Sequence, residues 1–221
     1  MTSEQQVEAA LKSYEDVDSW KTIIFLYNAA LKEVGTKLEI LNDEFQHVHQ
    51  YNPIEHIKTR IKTPESIVKK LRRYGHETSI ENMVRYVNDI AGIRISCSFT
   101  SDIYLIADMI SKQNDLTILA RRDYMKNPKK SGYRSYHMLV TTPVFLSDSI
   151  IDTKVEIQIR TVAQDFWATL EHKMHYKFEG DGPDYITKEL RECARYVAEL
   201  DTRMEELNNE IQKYGKLSDK K

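Results

Sequence analysis

Two acidic residues of this sequence stand where a folded sheet could bring them onto one metal ion. Asp89 comes directly before an apolar run at 90–99, and Glu156 lies inside another at 155–160. Mg²⁺ prefers one or two carboxylates together with the phosphates of a substrate. The pair therefore predicts a shared Mg²⁺ site. The simpler alternative makes Asp89 the last residue of a helix, with Arg94 as its ion-pair partner.

A basic cluster lies upstream of the first acid. Its members are Arg60, Lys62, Ser66, Lys70 and Arg73. The first two share a face of a predicted strand, and the other three recur at helical spacings of four and three. The strand leads into a helix start at Thr63, where free backbone N–H groups and the helix dipole favour an anion. The cluster predicts a polyphosphate site, and a solvated charged surface is the alternative.

A second basic cluster surrounds a polar segment at 126–132 that is predicted to be a loop. It consists of Arg121, Arg122, Lys126, Lys129, Lys130 and Arg134, next to Gly132 and Tyr133. Lysines beside an aromatic ring could bind a second phosphorylated nucleotide, because the cations would meet its phosphates while its base stacks on the ring. An ordinary solvated loop beside a core tyrosine explains the same residues.

The segment 155–160 alternates between two kinds of side chain. Its even positions are Glu156, Gln158 and Arg160, and its odd positions are valine and isoleucine. A charged stripe on so apolar a strand is costly unless it faces a cleft or an edge, although an exposed outer sheet face would also accommodate it. Two polyanion sites beside a metal-binding pair indicate phosphoryl or pyrophosphoryl transfer between nucleotides.

The elements that must position these residues alternate between helix and strand. Hydrophobic spacing, capping residues and turn signals predict helices at 4–16, 19–51, 63–75, 79–87, 100–113, 162–178 and 185–214. The helix at 100–113 is expected to be capped by Thr100 or Ser101. Strands are predicted at 56–62, 90–99, 116–122, 133–142 and 153–161. The simplest architecture is an α+β fold with one mixed sheet of about five strands and long helices at both chain ends.

Composition limits the functional classes. The 221 residues are 41% hydrophobic and 30% charged, with a net charge of −2, so a core forms and nothing draws the whole chain to DNA or an anionic membrane. No apolar run approaches the length of a membrane span, and no secretory signal opens the chain, so a cytoplasmic location is expected. Cys97 and Cys193 are expected to be reduced, buried thiols.

Several catalytic motifs are missing from the sequence. There is no Gly-rich loop ending in Gly-Lys-Ser/Thr and no protein-kinase signature. Glu171, His172 and His175 do not have zinc-protease spacing, so a polar helix face is favoured over a structural metal. The chain also lacks an adjacent His-Asp pair of the kind that a metal phosphohydrolase would carry.

At these same residues the sequence resembles the synthetase domain of the RelA/SpoT family. The stretches that carry the resemblance are RIKTPES at 60–66, DIAGIR at 89–94, RDY at 122–124, KKSGYRSYH at 129–137, VEIQIRT at 155–161 and DFWATLEH at 165–172. They occur in order across most of 53–178. The stand-alone members, the small alarmone synthetases, are the best match, and NPIEH at 52–56 with GTKLEI at 35–40 looks most like the RelP subtype.

The resemblance implies a nucleotidyltransferase-like fold and a specific reaction. Members of the family use Mg²⁺ to transfer the β,γ-pyrophosphate of ATP to the ribose 3′-hydroxyl of GDP or GTP. The products are AMP and the stringent-response alarmones ppGpp and pppGpp. The hydrolase half of the long family members has no counterpart here, so synthesis without degradation is expected.

The resemblance also implies roles for individual residues. Asp89 and Glu156 would bind Mg²⁺, and Glu156 would be the general base on the 3′-hydroxyl. The ATP site would comprise Arg60, Lys62, Ser66, Lys70, Arg73 and Arg94. The GDP/GTP site would comprise Arg122, Lys129, Tyr133, His137, Gln158 and Asp165, with Tyr133 stacked on guanine.

The implied organisation has three parts: N-terminal helices at 1–52, the synthetase domain at 53–178, and a C-terminal helix and tail at 179–221. The terminal helices resemble those through which small alarmone synthetases form homotetramers. The apolar repeat of the last helix, Leu190, Val197, Leu200, Met204, Leu207 and Ile211, needs burial, which packing within the chain would also provide. Nothing in the sequence supports regulation by RNA. The alternative function is a non-catalytic guanine-nucleotide or RNA-binding module on the same fold.

Overall fold

The computed structural model describes residues 16–177 and 184–218. The helices are α1 (Asp16–His49), α2 (Pro64–Arg73), α3 (Ile80–Tyr86), α4 (Thr100–Ser111), α5 (Val162–Lys177) and α6 (Asp184–Ser218). The strands are β1 (Ile54–Ile61), β2 (Ala91–Cys97), β3 (Thr117–Asp123), β4 (Tyr136–Phe145) and β5 (Ile150–Thr161). The helix predicted at 4–16, except for its last residue, and the Gly-Pro break at 180–183 lie outside the described residues.

The five strands form one sheet in the order β1-β2-β5-β4-β3. Strands β2 and β5 pair in parallel, and the other neighbours pair antiparallel. This mixed sheet, with a long helix toward each end of the chain, confirms the predicted α+β class. Strand β5 is the central strand and contacts β2 on one side and β4 on the other, so its side chains are surrounded by both.

The alternation predicted for β5 is present and divides the sheet into two faces. Val155, Ile157 and Ile159 are fully buried in the main hydrophobic core. That core also takes apolar side chains from α1 to α4, including Leu26 and Val34 of α1. Because side chains alternate along a strand, the even-numbered residues of β5 lie on the opposite face. The burial of one face thereby presents the charged stripe on the other.

Helix α2 begins and ends as its sequence predicts. The side chain of Thr63 accepts a hydrogen bond from the Ser66 N–H at 3.3 Å, and proline occupies the first helical position. At the other end, the Gly75 N–H donates to the Arg72 carbonyl and the His76 N–H donates to the Leu71 carbonyl, both at 3.0 Å. This pattern needs a left-handed residue, and Gly75 has φ +75°. The helix that carries Lys70 is therefore locally determined.

Two local predictions are wrong. Helix α4 is not capped by Thr100 or Ser101, because Phe99 is the N-cap residue and the Asp102 carboxylate accepts its N–H at 3.1 Å. Strand β4 begins at Tyr136, so Tyr133 precedes it rather than belonging to it. The segment before β4 instead forms a turn at Gly132, whose φ is +93°.

The two cysteines differ in environment. Cys97 is buried in β2, and burial raises the pKa of its thiol, as expected for an inert core residue. Cys193 was predicted to be buried but is exposed on α6. The apolar neighbours of Cys193 in the sequence misled the prediction, because they point to other sides of the helix.

Helices α5 and α6 form a small second core. It consists of Trp167, Ala168 and Ala194, with Tyr133 and Val197 packed against it. Further along α6, packing within the described part of the chain leaves four residues of the apolar repeat exposed. Leu200, Met204, Leu207 and Ile211 are 47–69% exposed.

No helix within the described ranges combines the length and apolar character required to cross a membrane.

Two glycines should respond oppositely to the same substitution. Gly35 lies inside α1 and Gly75 has φ +75°, and a Cβ at either position would meet no atom within 4 Å. Gly35→Ala should stabilise the fold by about 0.5–1 kcal/mol, because alanine favours a helix interior. Gly75→Ala should destabilise it by about 1 kcal/mol, because the left-handed conformation strains an L-residue. Urea unfolding of both variants measures this, and shifts of the same sign would contradict the backbone assignment.

Candidate active site

A cleft of about 580 Å³ opens on the face of the sheet that carries the charged stripe. Eight of the residues predicted for function line it: Arg60, Asp89, Arg94, Lys129, Tyr133, His137, Glu156 and Gln158. They come from β1, β2, β4, β5 and the two segments that precede β2 and β4. One residue of each basic cluster, Arg60 and Lys129, thus lines the same cleft as both acids.

Asp89 lies between α3 and β2, between two lysine ammonium groups. The Lys62 Nζ is 2.9 Å from its Oδ2, and the Lys70 Nζ is 2.8 Å from its Oδ1. Burial alone would raise the pKa of Asp89, but the hydrogen bonds from Lys70 and Lys62 outweigh it and hold the pKa below its ordinary value. The carboxylate is therefore ionised at neutral pH. Both lysine ammonium groups contact Asp89, which lines the cleft.

The alternative in which Arg94 is the ion-pair partner of Asp89 is wrong. The Arg94 Nη1 lies 3.4 Å from Oδ1 of Asp165, a residue of the first turn of α5. Arg94 is on β2 and its side chain follows the cleft face toward α5, whereas Asp89 is occupied by the two lysines. Proximity in the sequence suggested a partner that the sheet geometry does not provide.

Glu156 lies on β5 opposite Gly92 of β2, and Gly92 has no side chain to fill the cleft between the strands. Its Oε2 accepts a hydrogen bond from the Gln158 Nε2 at 2.8 Å, and its Oε1 lies 3.6 Å from the His137 Nδ1. Burial raises the pKa of Glu156 and the charge of Asp89 adds to this, but His137 and Gln158 lower it more, so the pKa lies below its ordinary value. Glu156 is thus an ionised acid near Asp89.

The charged stripe of β5 continues below Glu156. Arg160, which is only 2% exposed, donates from Nη2 to the Gln158 Oε1 at 2.6 Å. Gln158 in turn donates to Glu156, so a chain of hydrogen bonds runs along the strand. Burial lowers the pKa of the Arg160 guanidinium. The hydrogen bonds from Arg160 to Gln158 and from Gln158 to Glu156 fix the orientation of the Glu156 carboxylate.

Three cations surround the carboxylate of Asp165. Besides Arg94, the Arg160 Nη1 lies 3.7 Å from Oδ1 and the Lys58 Nζ lies 3.7 Å from Oδ2. Within the described chain, Oδ1 of Asp165 and Nε of both arginines are buried and have no hydrogen-bond partner. Buried polar atoms in that state usually indicate a missing ligand or water. Asp165 lies beside the cleft, and its three cationic partners line the cleft.

Tyr133 forms the aromatic wall of the cleft. Its hydroxyl lies 2.9 Å from the His137 Nε2, and its ring centroid lies 4.8 Å from the Lys129 Nζ and 5.4 Å from the Arg160 guanidinium carbon. Burial raises the pKa of Tyr133, so the phenol stays neutral. The pairing of a lysine-rich segment with this ring, predicted from the sequence, is present.

Three of the predicted residues lie away from the cleft. Ser66, at the start of α2, accepts a hydrogen bond from the Thr63 hydroxyl at 3.0 Å. Arg73, at the end of α2, lies 5.4 Å from the Tyr74 ring. Arg122 is exposed on the edge strand β3, opposite His137 in register. None of the three lines the cleft of the described chain.

The cleft also contains residues that are outside the predicted catalytic, ATP-binding and GDP/GTP-binding sets, although Arg160 was placed on the charged stripe. They are Lys58 and Thr59 on β1, Gly92 and Ile93 on β2, Ser131 before β4, Arg160 on β5, and Ala168, Thr169, Glu171, His172 and Lys173 on α5. Lys58 lies two residues before Arg60, so the period of a strand would have indicated it. Residues 165, 168, 169, 172 and 173 follow helical spacing from Asp165, which would have indicated the α5 wall.

The donor set is compatible with magnesium. Two ionised carboxylates and several lysine and arginine side chains meet in one cleft, which suits an ion that also takes phosphate oxygens. Among residues 16–177 and 184–218, no group of three or more His, Cys, Asp or Glu side chains is placed to hold a metal. Asp89 and Glu156 would therefore supply only part of a coordination shell, and substrate phosphates and water would complete it.

Comparison with solved structures identifies proteins of similar fold. Small alarmone synthetase 2 from Bacillus subtilis matches with a TM-score of 0.79 and 43% identity over 86% of this chain and 98% of that one. Small alarmone synthetase 1 from the same organism, bound to its product pppGpp, matches with a TM-score of 0.81 and 35% identity over 87% of this chain and 98% of that one.

Sequence comparisons agree with the structural ones. The GTP pyrophosphokinase YwaC of Bacillus subtilis is 44% identical over 195 residues, which cover 88% of this chain and 93% of that protein. The GTP pyrophosphokinase YjbM of the same organism is 36% identical over 200 residues, covering 89% and 92%. The family described as "Region found in RelA / SpoT proteins" matches residues 59–181, which include the whole acidic pair and both basic clusters. The chain therefore belongs to the RelA/SpoT family.

Proposed function

We propose that this chain is a stand-alone alarmone synthetase, a GTP pyrophosphokinase that moves the β,γ-pyrophosphate of ATP to the ribose 3′-hydroxyl of GDP or GTP. One observation carries the proposal: the ionised acids Asp89 and Glu156 share a cleft between a cationic wall and an aromatic wall. Such a cleft suits a transfer between two nucleotides, because each wall can hold one of them. The named pyrophosphokinases among its relatives support the same reaction.

The cationic wall is the proposed ATP site. Arg60, Lys62 and Lys70 converge on the cleft, and their charges match the triphosphate. The planar guanidinium of Arg94 would lie against adenine. Ser66 and Arg73, at the two ends of α2, complete the proposed set at the periphery. Asp89 and Glu156 would hold Mg²⁺, which would supply charge neutralisation of the phosphates.

Glu156 is the proposed general base. Its low pKa keeps it ionised, and its carboxylate would take the proton of the 3′-hydroxyl as that oxygen attacks the β-phosphorus of ATP. The new bond joins the ribose oxygen to the β-phosphorus, and the bond from that phosphorus to the oxygen bridging it to the α-phosphorus breaks. AMP leaves with that oxygen. Gln158 and His137 orient the base during this exchange.

The aromatic wall is the proposed GDP/GTP site. Tyr133 would stack on guanine, and the Lys129 ammonium beside it would meet the acceptor phosphates. His137, Gln158 and Asp165 would contact the rest of the acceptor. Arg122, exposed on β3, would reach only phosphates that extend beyond the cleft. No observation favours a non-catalytic binding module, because two ionised acids beside a phosphate site would weaken simple binding.

The remaining features of the proposal concern subtype, organisation and location. We propose that the chain is of the RelP subtype, on the stretches at 35–40 and 52–56. The synthetase domain would occupy 53–178 between N-terminal helices at 1–52 and a C-terminal helix and tail at 179–221. The protein would act in the cytoplasm, where ATP and guanine nucleotides are available. Exposed apolar residues on α6 support assembly as a homotetramer.

The reaction is tested directly with labelled ATP, GDP or GTP, and Mg²⁺. Thin-layer separation should show AMP and a guanosine nucleotide longer by two phosphates. Glu156→Gln should lower turnover by about 10²-fold or more, since it removes a general base, while ATP binding by calorimetry stays within about twofold. Asp152→Asn, four residues earlier on the same face of β5 and outside the cleft, is the matched control and should remain active. Wild-type protein that forms no such products would refute the proposed function.

The pH dependence should report on the contact between His137 and Glu156. His137→Ala removes an interaction that lowers the pKa of Glu156, while burial and Asp89, which both raise it, remain. The pKa of Glu156 should therefore increase, and the acid limb of kcat/KM should move to higher pH. His137→Asn places an amide donor near the position of Nδ1 and should move the limb less. An unchanged or lower acid limb in the alanine variant would show that His137 does not tune the base.

Assembly is tested by sedimentation velocity at micromolar concentration. The wild type should sediment as a tetramer, and Leu207→Glu should shift it toward smaller species, because a charge in an apolar interface is costly. Asn209→Glu, on the opposite side of α6, is the control. A wild-type monomer would contradict the proposed assembly.

A further inference from the structure

The turn that carries the acceptor residues rests directly on the C-terminal helix. A Cβ placed on Gly132 would lie 2.5 Å from the Cβ of Ala194 on α6, and 3.8 Å from the Cα and the carbonyl oxygen of Arg191. Carbon atoms in good contact are about 3.5–4.0 Å apart, so 2.5 Å leaves no room for a side chain. The backbone of the turn and the surface of α6 are therefore in contact without an intervening layer.

The same helix residue also borders the aromatic wall. Ala194 belongs to the small core with Trp167 and Ala168, and Tyr133 packs against that core. The Trp167 Nε1 donates to the Leu190 carbonyl at 2.9 Å, which holds α5 and α6 together at this level. Tyr133 is thus held by the α5–α6 pair, as well as by its hydrogen bond to His137.

The turn itself is closed by two backbone hydrogen bonds. The Gly132 N–H donates to the Lys129 carbonyl at 2.8 Å, and the Lys129 N–H donates to the Tyr133 carbonyl at 3.1 Å. These bonds connect Lys129 to both Gly132 and Tyr133. A displacement of Gly132 would therefore carry both the Lys129 ammonium and the Tyr133 ring.

We propose that Ala194 is a positioning residue for the guanine-nucleotide site. Its methyl group sets the distance between α6 and the 129–133 turn, and through that turn the placement of Lys129 and Tyr133. This inference rests on the proposed function, because the acceptor defines what the turn must hold. It extends the site to a helix beyond the residues that match the family, which end at 181.

The contact explains the residue types on both sides. Gly132 has φ +93°, which L-residues rarely adopt, and it has no side chain to separate the turn from the helix. Ala194 is 6% exposed, and a longer side chain at that position would have to push against the turn or against the Trp167–Ala168 core. The ATP side of the cleft has no part in this contact, so the two substrates should be affected differently.

The first experiment compares leucine at two adjacent positions of α6. Ala194→Leu should raise the KM for GDP and GTP at least tenfold while the KM for ATP changes less than about twofold. Cys193→Leu adds a leucine to the exposed neighbouring position and should leave both values within about twofold. Tyr133→Ala gives the upper limit of the acceptor effect, since it removes the ring itself. Equal increases for ATP and acceptor in the Ala194 variant would overturn the proposal.

A second experiment uses one-methyl changes and avoids the risk that leucine unfolds the helix pair. Gly132→Ala should raise the acceptor KM several-fold, and adding Ala194→Gly should recover at least half of that loss on a logarithmic scale, because it removes the atom that the new Cβ would meet. The four proteins are the wild type, Gly132→Ala, Ala194→Gly and the double variant. Comparing their thermal unfolding tests whether the recovery reflects general stabilisation.

The outcomes separate this inference from the proposed function. A non-additive recovery confined to the acceptor supports the role of Ala194. Additive effects in an active enzyme overturn that role and leave the proposed reaction intact. A wild type that makes no product refutes the reaction itself.

Discussion

A charged stripe on the central strand of a sheet is stable only where neighbouring elements supply partners, and this requirement organises the molecule. Glu156 is paired with Gln158 and His137, and Arg160 is paired with Gln158 and Asp165. The partners come from β4, β5 and the first turn of α5. Each of these partners must face the stripe. The polar groups around the cleft are therefore a consequence of providing partners for the polar side chains of β5.

The two acids of the cleft are kept ionised by different means. Asp89 is held by two lysine ammonium groups, whereas Glu156 is held by a histidine and an amide. Burial opposes ionisation at both sites and is outweighed at both. The cations beside Asp89 are of the type that also binds phosphate, which is why that acid is assigned to the proposed ATP site. The neutral amide beside Glu156 leaves its carboxylate able to accept a proton.

Local signals made much of this structure predictable. The period of two along β5 indicated its buried and polar faces, and the capping threonine with Gly75 bounded α2. Two of the failures have their cause in distant contacts. Arg94 pairs with Asp165 on α5, and the turn before β4 is shaped by α6, neither of which adjacency in the sequence can indicate. The α5 wall of the cleft follows helical spacing from Asp165, so it is a local signal as well.

The alternation along β5 also restricts how this chain can change in length. Insertion or deletion of one residue within 155–161 would rotate every following side chain to the other face, carrying charges into the core and isoleucines to the cleft face. A single further substitution would not restore the pattern, because one face of β5 packs in the core and the other lines the cleft. Gains and losses of residues are tolerable instead in the turn at 146–149 between β4 and β5. Descendants of this sequence can thus change length at that turn while the strand that bears the proposed base keeps its length.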